Sequence, residues 1–311
     1  MTILIYDDIF LQHDTGDSHP ENAKRLKNTV KHLRTISLWT QLRIERPRVA
    51  SSEEIAVIHP QTYIQSIKKT ADAGGGWIDS DTIVSTGSYN AAVHAVGAAL
   101  TASDLIMSGE NTNAFCLVRP PGHHATPTRA MGFCLFNTVA IAAKYLQSQY
   151  HLEKILIIDW DVHHGNGTQE AFYDDPTVMY LSLHRYPFYP GSGKKEETGR
   201  DKGNGYTINM PLPATITAKE YSELFTNTLE QNIHRFAPEF IIISAGFDTY
   251  KKDPIGGLHL DKDDFGVLTD IVIKFAKEYC SGRIISCLEG GYHLTDLPLC
   301  IDAHLKALLR G

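Results

Sequence analysis

An apolar run, Ile155-Leu156-Ile157-Ile158, ends in Asp159-Trp160-Asp161-Val162-His163-His164-Gly165-Asn166-Gly167. The β-branched run reads as a strand buried on both faces, which is how parallel strands under two helical layers look. Residues i and i+2 of an extended backbone share a face, so Asp161 and His163 point at one place while Asp159 stands behind them. Charge at the end of a buried strand is costly unless something pairs with it. A metal ion is the most economical partner.

The rest of the chain alternates in the same way. Strands are expected at 2–6, 113–118, 154–159, 178–183, 206–210, 239–244 and 283–288. Helices are expected at 20–36, 53–70, 88–107, 136–149, 217–235, 262–279 and 295–309. No repeat, linker or break in composition divides the 311 residues, so the expectation is one α/β domain over 1–311. Its sheet should be central, mostly parallel and flanked by helices. Long loops at 71–87, 119–135, 184–205 and 245–261 mostly follow strand ends, where open parallel sheets bind ligands.

Composition narrows the function. A formal net charge of −7 argues against a nucleic-acid partner, which needs a clustered basic surface, and suits basic substrates weakly. No apolar stretch approaches the roughly 18 residues of a membrane span, so no membrane partner is expected. Asp7 and Asp8 come too early for a signal peptide. Cys116, Cys134, Cys280, Cys287 and Cys300 form no C-x-x-C pair, which reads as reduced thiols in a cytoplasmic protein.

Three further segments carry chemistry. Phe240-Ile-Ile-Ile-Ser-Ala-Gly-Phe-Asp248 repeats the pattern of a buried strand ending in one acid, and Asp248 completes a three-ligand set with Asp161 and His163. Such a set leaves a coordination position open. Ligand type alone leaves Zn2+, Fe2+ and Mn2+ open. Glycine at 165, where a bridging carboxylate would be needed, points to one metal rather than two. Arg119-Pro-Pro-Gly-His123-His124 sets two imidazoles after a turn, suited to proton transfer near neutral pH. Asp159 and Asn166 are the candidates to orient them. Leu288-Glu-Gly-Gly-Tyr292 brings a phenol able to donate to an oxyanion. His13-Asp14 has no partner spacing and reads as noise, while His94, among helical alanines, reads as buried structure.

Taken together, Arg-Pro-Pro-Gly-His-His-Ala, Gly132-Phe-Cys-Leu-Phe-Asn137, Asp-Trp-Asp-Val-His-His-Gly-Asn-Gly-Thr, Ser244-Ala-Gly-Phe-Asp248 and Leu-Glu-Gly-Gly-Tyr resemble the zinc-dependent histone deacetylase family of the arginase/deacetylase fold. The likeness runs over nearly the whole chain, from Tyr6-Asp-Asp to Tyr292. Asn166, where class I members carry Asp, and His19-Pro20-Glu21 make it look like class II and its bacterial relatives.

The resemblance implies one Zn2+ on Asp161, His163 and Asp248. It implies that His124, paired with Asn166, is the principal base and then acid. His123, paired with Asp159, is then an electrostatic partner, and Tyr292 polarises the amide carbonyl. It implies one K+ on Asp159, Asp161, His163, Ser182 and Leu183, and a second at Phe172, Asp175, Val178 and Tyr206. Phe133, after Gly132, and Tyr189 would flank an acyl-lysine tunnel, with Asp81 at its rim and Arg25 in the acetate-exit region.

Polyamine-specific relatives place a Glu seven residues after the third metal ligand. Here that residue is Ile255, which favours acyl-lysine of proteins or peptides over acetylpolyamines. A non-catalytic acyl-lysine reader would be expected to have lost a ligand, a His or the Tyr, and a two-manganese ureohydrolase is disfavoured by Gly165. The oligomeric state is left open.

Overall fold

The computed structural model describes residues 1–311. The strands are β1 (Ile3–Ile5), β2 (Arg43–Glu45), β3 (Gly76–Trp77), β4 (Ile83–Val84), β5 (Asn113–Cys116), β6 (Ile155–Asp159), β7 (Val178–Arg185), β8 (Thr207–Leu212), β9 (Phe240–Ala245) and β10 (Ile284–Leu288). The helices are α1 (Lys24–Thr35), α2 (Ser52–Ile55), α3 (Gln61–Asp72), α4 (Ser88–Met107), α5 (Thr138–Tyr150), α6 (Asn166–Phe172), α7 (Ala218–Phe236), α8 (Asp264–Tyr279) and α9 (Leu297–Arg310). Eight strands form one sheet in the order β2-β1-β5-β10-β9-β6-β7-β8. Every ladder in it is parallel, so the expected α/β architecture holds and the sheet is more uniform than expected.

The strand sequences explain the layering. β5, β6, β9 and β10 are buried at every position, as continuous apolar strands covered on both faces must be. Helices α1, α8 and α9 pack together in one group, and α4 packs on α5 in another. β5 and β6 are consecutive in the chain among the sheet strands but are separated in space by β10 and β9. That reversal opens a crevice beyond the strands' carboxyl ends, where ligands of such sheets bind. The loops after β5, β10, β9, β6 and β7 all meet there.

Several expected boundaries move. The helix expected over 53–70 is two helices, α2 and α3, because Pro60 lacks an N–H and turns the chain between them. Ser51 and Glu54 start α2 with a reciprocal capping box. The helix expected from 20 begins only at Lys24, since the Asn22 side chain caps the amide of Lys24. β2 is short and half-buried at the sheet edge, and its alternating charges hid it. Within 71–87, read as loop, β3 and β4 pair antiparallel through Gly76–Val84 and Trp77–Ile83. β7 runs on to Arg185, into the segment read as loop.

All five cysteines are buried and free. No helix is long and apolar enough to cross a membrane. His94, expected in the core, is only half-buried on α4 and bonds the carbonyl of Asn90 one turn back.

Candidate active site

Asp161 and His163 leave the end of β6 and Asp248 leaves the end of β9, its neighbour in the sheet. Nδ1 of His163 lies 3.0 Å from Asp161 Oδ1 and 3.2 Å from Asp248 Oδ2. One donor atom from each of the three falls within 4.8 Å of the others. The amides of Gly290 and Val162 hold the two carboxylates from behind, on Asp161 Oδ2 and Asp248 Oδ1, each at 2.8 Å. A Cβ at Gly290 would collide with both carboxylates, so only glycine lets that amide approach.

This donor set fits a metal ion on a physical observation: Asp248 Oδ2 is buried and has no well-aligned hydrogen-bond donor, its one polar neighbour being the His163 nitrogen of the same set, 3.2 Å away. A buried carboxylate oxygen without a donor is costly unless a cation meets it. The electrostatics agree. Burial, and then the charge of Asp161, raise the Asp248 carboxyl above the usual carboxylate range. Asp161 is also penalised by burial, yet the charges of His123 and His163 hold it low. His163 is pushed up to about 9; burial works against its charge, but the two flanking carboxylates win.

His123, Cys134 and Glu289 also converge. There Glu289 already accepts from backbone and Ser244, and the Cys134 thiol donates to Gly132, so nothing there calls for an ion. Gly165 takes on a second meaning here. A Cβ at that position would collide with Asp159 Oδ2 and crowd Tyr180, so no bridging carboxylate fits.

His123 and His124 leave the loop after β5, their ring centroids 4.0 Å apart. Nδ1 of His123 faces Asp159 Oδ2 at 3.0 Å, and Nδ1 of His124 faces Asn166 Oδ1 at 2.8 Å. The Tyr180 hydroxyl fixes Asp159 from the other side at 2.9 Å. The two environments drive the imidazoles apart. His123 is raised to about 10: burial opposes its charge, but Asp159 and Asp161 outweigh it. His124 is lowered well below the ordinary value by burial, then by the charges of His123 and His163. A charged and a neutral imidazole side by side divide acid–base work.

Sequence reasoning missed what holds this loop. Glu289, buried at the end of β10, accepts from the amides of Gly122 and His123 at 2.7 and 3.1 Å. Beneath it, Glu21 accepts two bonds from Arg119, at 2.5 and 2.7 Å, and one from Arg25 at 2.9 Å. Arg25 also donates to the carbonyls of Gly291 and Glu289, both at 2.6 Å, and lies 4.9 Å from the Tyr292 ring centroid. His13, read as noise, belongs to this network. It is buried, 3.5 Å from Glu21 and 2.7 Å from the Ser88 hydroxyl. Burial, then the charge of Arg119, lower it to about 3, so it is neutral. The sequence singled out Arg25 by resemblance and quoted Glu21, Arg119 and Glu289 within motifs, but nothing in it joined them or His13 into one network.

A pocket of about 240 Å³ opens above these groups. Phe133 and Tyr189 stand in its walls, with Gly132, Ile255 and Asp81 also lining it. His124, His163 and Tyr292 reach into it. The Tyr292 hydroxyl has no protein partner, while its amide donates to Asp253 at 2.7 Å. Phe188, which the sequence did not single out, stacks on His163 at 5.2 Å and 12°, and the Arg185 guanidinium lies over its ring at 4.3 Å.

Of the residues read as potassium ligands, Asp159 and Ser182 are opposed in the β6–β7 ladder. Leu183, Asp161 and His163 lie buried at the same strand ends. Phe172, Asp175, Val178 and Tyr206 gather where α6 ends and β7 and β8 begin. Asp175 is already paired there with Lys144 at 2.5 Å.

Comparison with known proteins places the chain. A model of the histone deacetylase domain matches residues 19–308. A probable deacetylase of Archaeoglobus fulgidus is 38% identical over 94% of this chain and 81% of its own length. A histone deacetylase-like amidohydrolase of Pseudomonas aeruginosa is 36% identical over 93% of this chain and 76% of its own. The crystal structure of the HDA15 HD domain superposes with a TM-score of 0.95 at 34% identity, covering 99% of this chain and 88% of that one. With its parallel sheet and the groups gathered at the strand ends, this chain belongs to the histone deacetylase family of hydrolases.

Proposed function

We propose that the chain is a zinc-dependent deacetylase that removes acetyl groups from the ε-nitrogen of acyl-lysine in proteins or peptides. The observation that carries this reading is the split imidazole pair set beside a three-donor metal cluster at one pocket. Asp161, His163 and Asp248 would hold the ion, and zinc there supplies Lewis acidity and lowers the pKa of water.

The chain's own residues then divide the chemistry. His124, kept neutral, takes the proton of the attacking water through Nε2, the nitrogen its bond to Asn166 leaves free. His123 stays charged against Asp159 and stabilises negative charge as it develops. The Tyr292 hydroxyl, which has no protein partner, donates to the oxyanion. His124 then returns its proton to the leaving amine. No covalent intermediate with the chain is required.

Phe133 and Tyr189 give the apolar walls that the methylene stem of a lysine needs, and the apolar Ile255 supports acyl-lysine over a polyamine with a distal ammonium. One K+ at Asp159, Asp161, His163, Ser182 and Leu183, and a second at Phe172, Asp175, Val178 and Tyr206, belong to the same reading as structural ions. Five buried free thiols suit a reducing compartment such as the cytoplasm.

The test is kcat/KM on an acetyl-lysine peptide and on N-acetylspermidine, with zinc quantified and a hydroxamate chelator as control. A higher value on the peptide is expected. A clear polyamine preference overturns the substrate assignment, and binding of both without turnover overturns the enzymatic one.

A further inference from the structure

Trp77 takes no part in the chemistry above, yet it is 63% exposed. A single exposed aromatic is common on a protein surface and by itself says little. Its position gives it a use. The Trp77 ring lies 6.5 Å from His19, and His19 lies 4.8 Å from Phe133, edge to face. Phe133 in turn meets Tyr292 at 5.8 Å and 85°. A continuous line of rings therefore leads from the reacting tyrosine, along the pocket wall, to the surface.

The hairpin that carries Trp77 is fastened to that wall. The Gly132 amide donates to Asp81 Oδ1 at 3.2 Å and the Phe133 amide to Thr82 Oγ1 at 3.0 Å. His19 Nε2 lies 3.2 Å from the Asp81 carbonyl. Trp77 is thus held beside the mouth rather than free to fold away.

Its charged surroundings are acidic. Asp79 and Asp81 stand on the same hairpin, and both act on the Tyr189 phenol in the opposite wall. Asp79 is shared with Arg129 at 3.0 Å. Asp81 receives only neutral donors, from Thr82, Gly132 and the Tyr189 phenol, so its charge is left for an incoming group.

We propose that Trp77, with Asp81 on the same hairpin, forms an outer subsite that receives a cationic side chain, Lys or Arg, flanking the acyl-lysine of a peptide substrate. An ammonium or guanidinium over the indole face gains a cation–π contact, and the nearby carboxylate adds to it. This rests on the acyl-lysine reading above. The contact is made equally before and during reaction, so it acts on KM rather than kcat.

The experiment compares acetyl-lysine peptides that differ only in carrying Arg or Ala on either side of the acetyl-lysine. They are assayed with the wild-type chain, W77A and W77F. The wild-type ratio of kcat/KM, Arg over Ala, is expected at about 3- to 10-fold, the size of one partly desolvated cation–π contact. It should fall to near one in W77A, through KM, and largely survive in W77F. A wild-type ratio near one, or a ratio that W77A leaves unchanged, overturns the subsite while leaving the deacetylase reading intact. Turnover of N-acetylspermidine with no turnover of either peptide overturns the acyl-lysine reading, and the subsite with it.

Discussion

Nδ1 of His124 lies 2.8 Å from the amide oxygen of Asn166. The neighbouring His123 faces a carboxylate instead, Asp159, at 3.0 Å. An amide orients an imidazole as well as a carboxylate does but adds no charge, so on that side an imidazolium has a hydrogen bond and no countercharge. Asp159, with Asp161, overcomes burial and keeps His123 charged, whereas burial and the charges of His123 and His163 keep His124 neutral, and the division of labour proposed for the pair follows from that difference.

Asn166→Asp tests that division. His124 must be neutral to accept a proton, and its pKa lies well below the ordinary value, so activity should extend into acid. A carboxylate at 166 stabilises the charged form and raises that pKa. The acidic limb of the kcat/KM profile should move to higher pH while the alkaline limb stays near its place. An unmoved acidic limb would take the role of base away from His124.

Tyr292→Phe removes a hydroxyl that makes no hydrogen bond to the protein. The fold should survive and kcat should fall by roughly 10²-fold or more, as for one lost oxyanion donor. Near-normal turnover would remove Tyr292 from the mechanism.

Glu289 supports the imidazole loop through two backbone amides. Glu289→Ala leaves both buried donors unpaired, at about 1–3 kcal/mol each. Urea unfolding should show that loss together with a drop in kcat, whereas Glu289→Gln, which keeps an accepting oxygen, should be milder in both. Equal effects from the two variants would mean that the charge, rather than the hydrogen bonds, matters.

Buried neutral histidines set the acid limit of the fold. Burial lowers His59 and His184 to about 4 and His304 to about 3. Nε2 of His59 accepts from the Asn137 amide at 2.9 Å, a bond that protonation would destroy. Above about pH 6.5 these groups are neutral in both folded and unfolded chains. As pH falls below that, the unfolded chain takes up protons that the folded one refuses until near pH 3–4. Each therefore costs at most about 1.4 kcal/mol of stability per pH unit over that interval. The urea midpoint should fall steadily from pH 6.5 to pH 4. A flat midpoint there would contradict the account.

What could be read in the sequence followed from locality. β6 and β9 announce themselves because each apolar run and the acid that ends it lie within a few residues. The same holds for the Pro-Pro-Gly turn before His123. What stayed hidden depends on contacts between distant segments. Glu21 meets Arg119 only because the segment before α1 folds under the loop after β5, and His13 looked meaningless for the same reason. Glu289 sat inside a motif that drew attention to its glycines and tyrosine. Trp77 lay in a stretch whose glycines and acids read as loop. Gly165 was read as a missing carboxylate, and the reason none fits, the closeness of Asp159 and Tyr180, needed coordinates.

The central claim is a single metal ion held by Asp161, His163 and Asp248, on which hydrolysis depends. The direct measurement removes metal from the purified protein, adds zinc back in known amounts, and follows bound zinc and acetyl-lysine hydrolysis together, in wild type and in Asp248→Ala. Activity should saturate at one equivalent in the wild type, with neither binding nor activity recovered in the variant. Saturation at two equivalents, or full zinc occupancy in Asp248→Ala, would contradict the account.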